Sequence, residues 1–149
     1  MGIIGEPKIK RYIVIIILIF LIVISSQFPF HSPTASVVYV SGSGGGNYNC
    51  DGTDDHIQIQ QALTYAASNA GTTVYLKGPF TYNVDPNKMY VPSHTTITGD
   101  STAVIKLTKL DPNFPTPSVT RAIFQAAEST TQDITFHGFE IDANAKNNF

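Results

Sequence analysis

Three observations in the sequence predict an all-β fold, a right-handed parallel β-helix (solenoid) with an N-terminal capping α-helix, preceded by a hydrophobic signal or anchor helix. Between Cys50 and Leu107 an acid-headed amphipathic helix is followed at once by short Val/Ile/Thr runs of period two. Each run is three to five residues long, and each break carries Gly, Pro, Asp or Asn. Val74 and Thr96 stand 22 positions apart, inside the repeat range of roughly 20 to 50 residues that solenoids use.

The chain divides at residue 36. Lys8, Lys10 and Arg11 lead directly into an apolar run that begins at Tyr12 and ends at Ile24, followed by Ser25, Ser26 and Gln27. A charged flank before an apolar core has the form of a secretory signal, and Ser25 to Phe30 would lengthen the run enough for a retained membrane anchor. Both readings stay open, because the residues around Pro33 and Ala35 match a cleavage site poorly. A buried core helix does not fit, since no polar face interrupts the run. Either way the positive flank stays inside and the chain from Val37 onward is exported, to the cell surface or beyond it. Glu6 stands where a myristoylation signal needs Ser or Thr. Residues 37–149 are then the folded part, read as the N-terminal cap and first coils of a longer stack.

Composition narrows the function. Of the 149 residues 13% are charged, well below the roughly one in four of a typical globular protein, so the surface must be largely Thr, Ser, Asn and Gln. With a net charge of −2 and no basic run after Arg11, nothing draws the folded part to a phosphate backbone, and nucleic acid is not an expected partner. Cys50 is the single cysteine. It cannot form an internal disulfide, no base stands beside it in sequence, and it reads as a partly buried thiol without a catalytic task.

The elements follow in order. His31 to Ser36 is a spacer, and Val37-Val-Tyr-Val40 is a strand. Ser41 to Gly46 is Gly/Ser-rich, and a strand followed by Gly42-x-Gly44 invites a dinucleotide-loop reading. The third glycine of that fingerprint falls on Asn47 and the helix starts near Asp54, too late for the loop, so the segment reads as a flexible connection. In the helix, expected over residues 54–70, Ile59, Ala62, Leu63, Ala66, Ala67 and Ala70 form one apolar stripe. Thr53 can cap it, Asp54 and Asp55 suit the positive end of its dipole, and Gly71 can stop it.

Strands are expected at 72–76, 80–84, 89–91, 95–98 and 103–107. Residues 111–118, with Pro112, Pro115 and Pro117, cannot pair and read as a loop. Strands resume at 122–125, 134–136 and 139–141. The last of these is left as an open edge, expected to take missing C-terminal coils or another chain.

With these blocks in place, the sequence resembles a known superfamily. Asp51-Gly-Thr-Asp-Asp-His-Ile-Gln-Ile-Gln-Gln-Ala-Leu63, Gly71-Thr-Thr-Val-Tyr-Leu76, Tyr90-Val-Pro-Ser-His-Thr-Thr-Ile-Thr-Gly-Asp100 and Ala103-Val-Ile-Lys-Leu107 resemble the N-terminal end of pectate-lyase-like proteins. Gln132-Asp-Ile-Thr-Phe-His-Gly-Phe-Glu-Ile-Asp142 resembles one of their regular coils. The resemblance implies action on, or binding of, a polysaccharide or cell-envelope glycan, by a lyase or hydrolase or by a non-catalytic surface protein. Calcium enters as a cofactor through the resemblance alone. The family's catalytic residues lie on later coils, so none is carried over here.

Individual candidates remain. Glu140 and Asp142 are two apart on a strand, hence on one face with about 7 Å between them, a separation compatible with paired-carboxylate glycoside hydrolysis. They are weak catalytic candidates, because Asp142-Ala-Asn144 is also ordinary turn sequence. His137 stands near them. Asp54 and Asp55 diverge by about 100° around a helix, which suits dipole stabilisation better than shared chemistry. His56, His94 and His137 are not paired at metal-ligand spacing. Tyr48, Tyr82, Tyr90 and Phe149 could stack on sugar rings if exposed.

Overall fold

The structure, a computed structural model, describes residues 36–108 and 122–148, all inside one compact unit, Pro33–Phe149. The run from Tyr12 to Ile24, the proline-rich 111–118 and Phe149 lie outside the described residues. The strands are β1 (Val37–Ser41), β2 (Tyr48–Asn49), β3 (Thr73–Leu76), β4 (Phe80–Val84), β5 (Met89–Val91), β6 (Thr96–Gly99), β7 (Ala103–Leu107), β8 (Phe124–Ala126), β9 (Thr135–His137) and β10 (Glu140–Asp142). Helix α1 spans His56–Ser68, and a single helical turn, α2, spans Ala145–Asn148.

Among the described residues every strand pairing is parallel. A five-stranded sheet has the order β2-β1-β3-β6-β9, a three-stranded sheet β10-β7-β4, and a two-stranded sheet β5-β8. Register follows the apolar positions: Val38 faces Val74, Val74 faces Ile97, and Ile97 faces Phe136. The Val74–Ile97 and Thr73–Thr96 pairs are 23 residues apart, one more than the Val74/Thr96 spacing suggested. Slipping by that one residue would turn each strand's buried face outward.

The expected fold class is corrected. Among the described residues the structure is mixed α/β, one helix of more than a single turn with parallel strands in three small sheets, and not an all-β parallel β-helix solenoid. The reason lies in α1, which connects β1 to β3, adjacent and parallel strands of the same sheet. A helix in that position is a crossover connection, not a lid added to a finished stack. It packs on β1, β2, β3, β4 and β5 and contributes Ile59, Ala62, Leu63 and Ala66 to the same core as the strands. Period-two runs with polar breaks specify strands, but they do not specify how many sheets those strands form. A membrane-spanning helix is also not found: among the described residues none is long and apolar enough to cross a membrane.

The helix is shorter than residues 54–70. Asp55 takes the N-cap position without capping the helix through its side chain. Instead its wholly buried carboxylate accepts backbone N–H groups from Asp51 (3.2 Å), Gly52 (3.0 Å) and Asn83 (2.8 Å). It therefore ties the helix start to β4. At the other end Asn69 leaves helical geometry at φ −135° and its N–H bonds Ala66 O, which takes Ala70 out of the helix; Ala67, still inside it, is exposed, and both drop out of the stripe.

The core joins Val38, Val40, Val74, Leu76, Ile97, Tyr82, Val84, Ile105, Met89 and Val91 to the helix residues. Burying each large side chain contributes about 1.5–3 kcal/mol. Cys50 is buried among them, and burial, reinforced by Asp55, pushes its thiol up to about 12. It is therefore protonated and unreactive at neutral pH. A side chain at Gly42 would run into the Phe80 ring, so that face of the Gly-rich loop is filled by protein.

Candidate functional site

Alternation places one outward row across the five-stranded sheet. In β1, Val38 and Val40 are buried while Val37 and Tyr39 are exposed. In β3 and β6, Val74, Leu76 and Ile97 are buried, leaving Tyr75 and Thr98 partly open. Register then aligns Tyr39 with Tyr75, Tyr75 with Thr98, and Thr98 with His137. Three strand spacings of about 4.8 Å make the row roughly 14 Å long. Aromatic rings lie at one end, and a hydroxyl and an imidazole at the other.

The row is braced by polar contacts. The Tyr39 and Tyr75 rings are 5.5 Å apart and inclined by 56°, a favourable aromatic arrangement. The Tyr39 N–H donates to Asn47 Oδ1 at 2.8 Å. The Tyr75 hydroxyl donates to Asp100 Oδ1 at 2.6 Å, and the Gly78 N–H donates to Asp100 Oδ2 at 2.8 Å. The Tyr75 hydroxyl first, and the Gly78 amide second, hold Asp100 below its usual carboxylate range, while the same bond raises Tyr75. Asp100 therefore stays ionised and fixes the ring.

Lys77 Nζ stands 5.7 Å from the centre of the Tyr39 ring and donates to Gly45 O at 3.3 Å. Thr98 Oγ1 and His137 Nδ1 are 3.0 Å apart. This arrangement can stack on a flat apolar face and hydrogen-bond hydroxyls beside it. Its hydroxyl–imidazole pair, Thr98 with His137, is exposed and, among the described residues, has no carboxylate paired with the ring.

The candidates read from sequence are dispersed. Tyr82 is fully buried, its hydroxyl 2.7 Å from Lys77 O and 3.0 Å from Val40 O, so it cannot meet a ligand. Tyr48 is half-buried and, with Gln61, Thr64, Tyr65 and Ser68, lines a shallow groove of about 400 Å³. Tyr90 is exposed but donates its hydroxyl to Asn87 O at 3.2 Å, away from the row.

Asp142 is taken up locally. It accepts the Asn144 N–H at 2.7 Å and pairs with Lys106 at 3.5 Å, an exposed pair contributing less than about 1 kcal/mol. Glu140 is exposed on the same strand. His94 Nδ1 lies 3.0 Å from Asp133 Oδ2. His56 meets Asp54 and also Asp85, 29 residues further on, with their ligand atoms within 4.8 Å of one another.

Sequence reasoning missed Tyr39, Tyr75 and Asp85. The two tyrosines are outward residues of separate strands, and only the β1–β3 pairing across the helix makes them neighbours. Compared with protein families, curated proteins and solved structures, the chain matches none, so the pectate-lyase-like resemblance gains no support and carries no further argument.

Proposed function

We propose that the chain is a non-catalytic glycan-binding protein that works outside the cell or at its surface. The observation that carries this reading is the outward row of Tyr39, Tyr75, Thr98 and His137, with two adjacent rings beside polar groups. Sugar rings present one apolar face and a rim of hydroxyls, and an amphipathic aromatic surface with nearby donors and acceptors complements both. The low charge of the sequence and the basic-then-apolar start ahead of Ser25 support export. Glu140 and Asp142 supply no catalytic pair in this reading, because Asp142 already serves a turn and Lys106.

Titrating the full-length chain with oligosaccharides of pectate, alginate and neutral glucan by calorimetry tests it. Each ring contact contributes about 0.5–1.5 kcal/mol, so the double variant Tyr39→Ala, Tyr75→Ala should weaken binding about tenfold. Tyr90→Ala, off the row, should leave affinity unchanged. Absence of binding to all three glycans, or binding indifferent to the double variant, would overturn the proposal.

A further inference from the structure

Asp54, His56 and Asp85 bring a side-chain nitrogen and two carboxylates together from two elements. Their ligand atoms all lie within 4.8 Å of one another, and His56 and Asp85 are half-buried. We propose that these three residues form a binding site for one divalent transition-metal ion of the zinc class. The site is separate from the aromatic row and does not depend on the glycan reading.

Charge is the first argument. Two carboxylates this close repel each other, and among the described residues neither Asp54 nor Asp85 pairs with a Lys or Arg, the ion pairs there being His94–Asp133 and Lys106–Asp142. The positive end of helix α1 supplies only about half an elementary charge, which does not balance two carboxylates. A divalent cation does.

Preorganisation is the second. Asn83 and Asp55 exchange backbone and carboxylate bonds of 2.9 and 2.8 Å, and the Asn83 amide donates to Gly52 O at 2.8 Å. The strand end bearing Asp85 is thereby fastened to the loop bearing Asp54. The Thr108 hydroxyl donates to Asp85 Oδ1 at 2.5 Å, which orients that carboxylate and leaves its second oxygen for an ion, the usual task of an outer hydrogen bond at a metal site. The Asp85 N–H reaches His56 Nδ1 at 3.4 Å. That bond is long, so the ring gives up little by presenting a lone pair to a metal instead.

The donor set selects the ion. Imidazole suits zinc and its neighbours, and three protein ligands with water in a fourth position satisfy a tetrahedral ion. Calcium takes six to eight oxygens, more than this cluster offers.

Zinc added to the chelator-treated full-length chain should bind at one equivalent by calorimetry, with calcium giving no saturable heat. His56→Gln and Asp85→Asn should each weaken zinc binding by at least about tenfold, and Thr108→Val by about tenfold, with Asp51→Asn unchanged. No saturable zinc binding, equal binding of calcium, or zinc affinity that survives both His56→Gln and Asp85→Asn would overturn the site. Should a variant lose its fold, the wild type carries the test: zinc-induced shifts of the His56 ring protons support the site, and a ring insensitive to zinc overturns it.

Discussion

The same inward columns meet different fates at their two ends. Val74 and Ile97 are completely buried, yet Phe136, next in that column, is 44% exposed. Tyr82 and Ile105 are likewise buried, while Ile141, in register with Ile105, is 50% exposed. Side-chain chemistry and direction are equivalent along each column. What differs is the layer beyond: α1 and neighbouring strands enclose the first members, whereas β9 and β10 pair on one side only among the described residues. Alternation in a sequence therefore reports which way a side chain points, and the neighbouring layer decides whether it is buried.

Substitutions should reproduce that contrast, beginning with the helix. Leu63→Asp would place an unpaired carboxylate at a site with no solvent exposure, a cost of several kcal/mol and a large part of a domain's stability. Loss of cooperative melting in the full-length variant is the expected result. Truncation within one column should be graded. Ile97→Ala should cost about 2–5 kcal/mol, because a cavity is left in a closed core, and Phe136→Ala about 1 kcal/mol or less, because its site is already open to water. Denaturant midpoints of the two variants measure the difference, and equal losses would show that the far end is as well covered as the near one.

The smallest effect is one of pH. Cys50 keeps its proton in the folded chain up to about 12, whereas the unfolded chain releases it near about 8.5. The folded state then binds more protons, and stability falls with rising pH. The contribution is intact below the ordinary thiol range and is lost progressively as pH rises from there to about 12. Melting temperature followed from about pH 7 to 10 should decline less steeply in Cys50→Ala than in the wild type.

Much of the local structure was legible. The runs at 80–84 and 103–107 coincide with β4 and β7, since alternation and polar breaks are local signals. The stripe of Ile59, Ala62, Leu63 and Ala66 was equally plain. What escaped was non-local. Asp55 looked like a dipole residue, but its partner Asn83 lies 28 positions away, and Asp85 showed no sign of meeting His56. Tyr39 and Tyr75 became a pair only through the β1–β3 register, and the fold class changed because the helix lies between those same two strands. The side of Tyr82 was not legible because a tyrosine in a strand suits either face, and inside the core the carbonyls of Val40 and Lys77 satisfy its hydroxyl.

The most direct test of the glycan-binding claim is a map of backbone amide and ring chemical shifts as an oligosaccharide that binds is added to the labelled full-length chain. The account predicts saturable shifts concentrated on Tyr39, Tyr75, Thr98 and His137, extending to Lys77 and Asp100 and sparing Tyr48, Tyr65 and Tyr90. Shifts concentrated at the Tyr48/Tyr65 groove or around Glu140 and Asp142, with the Tyr39–Tyr75 row unmoved, would contradict it.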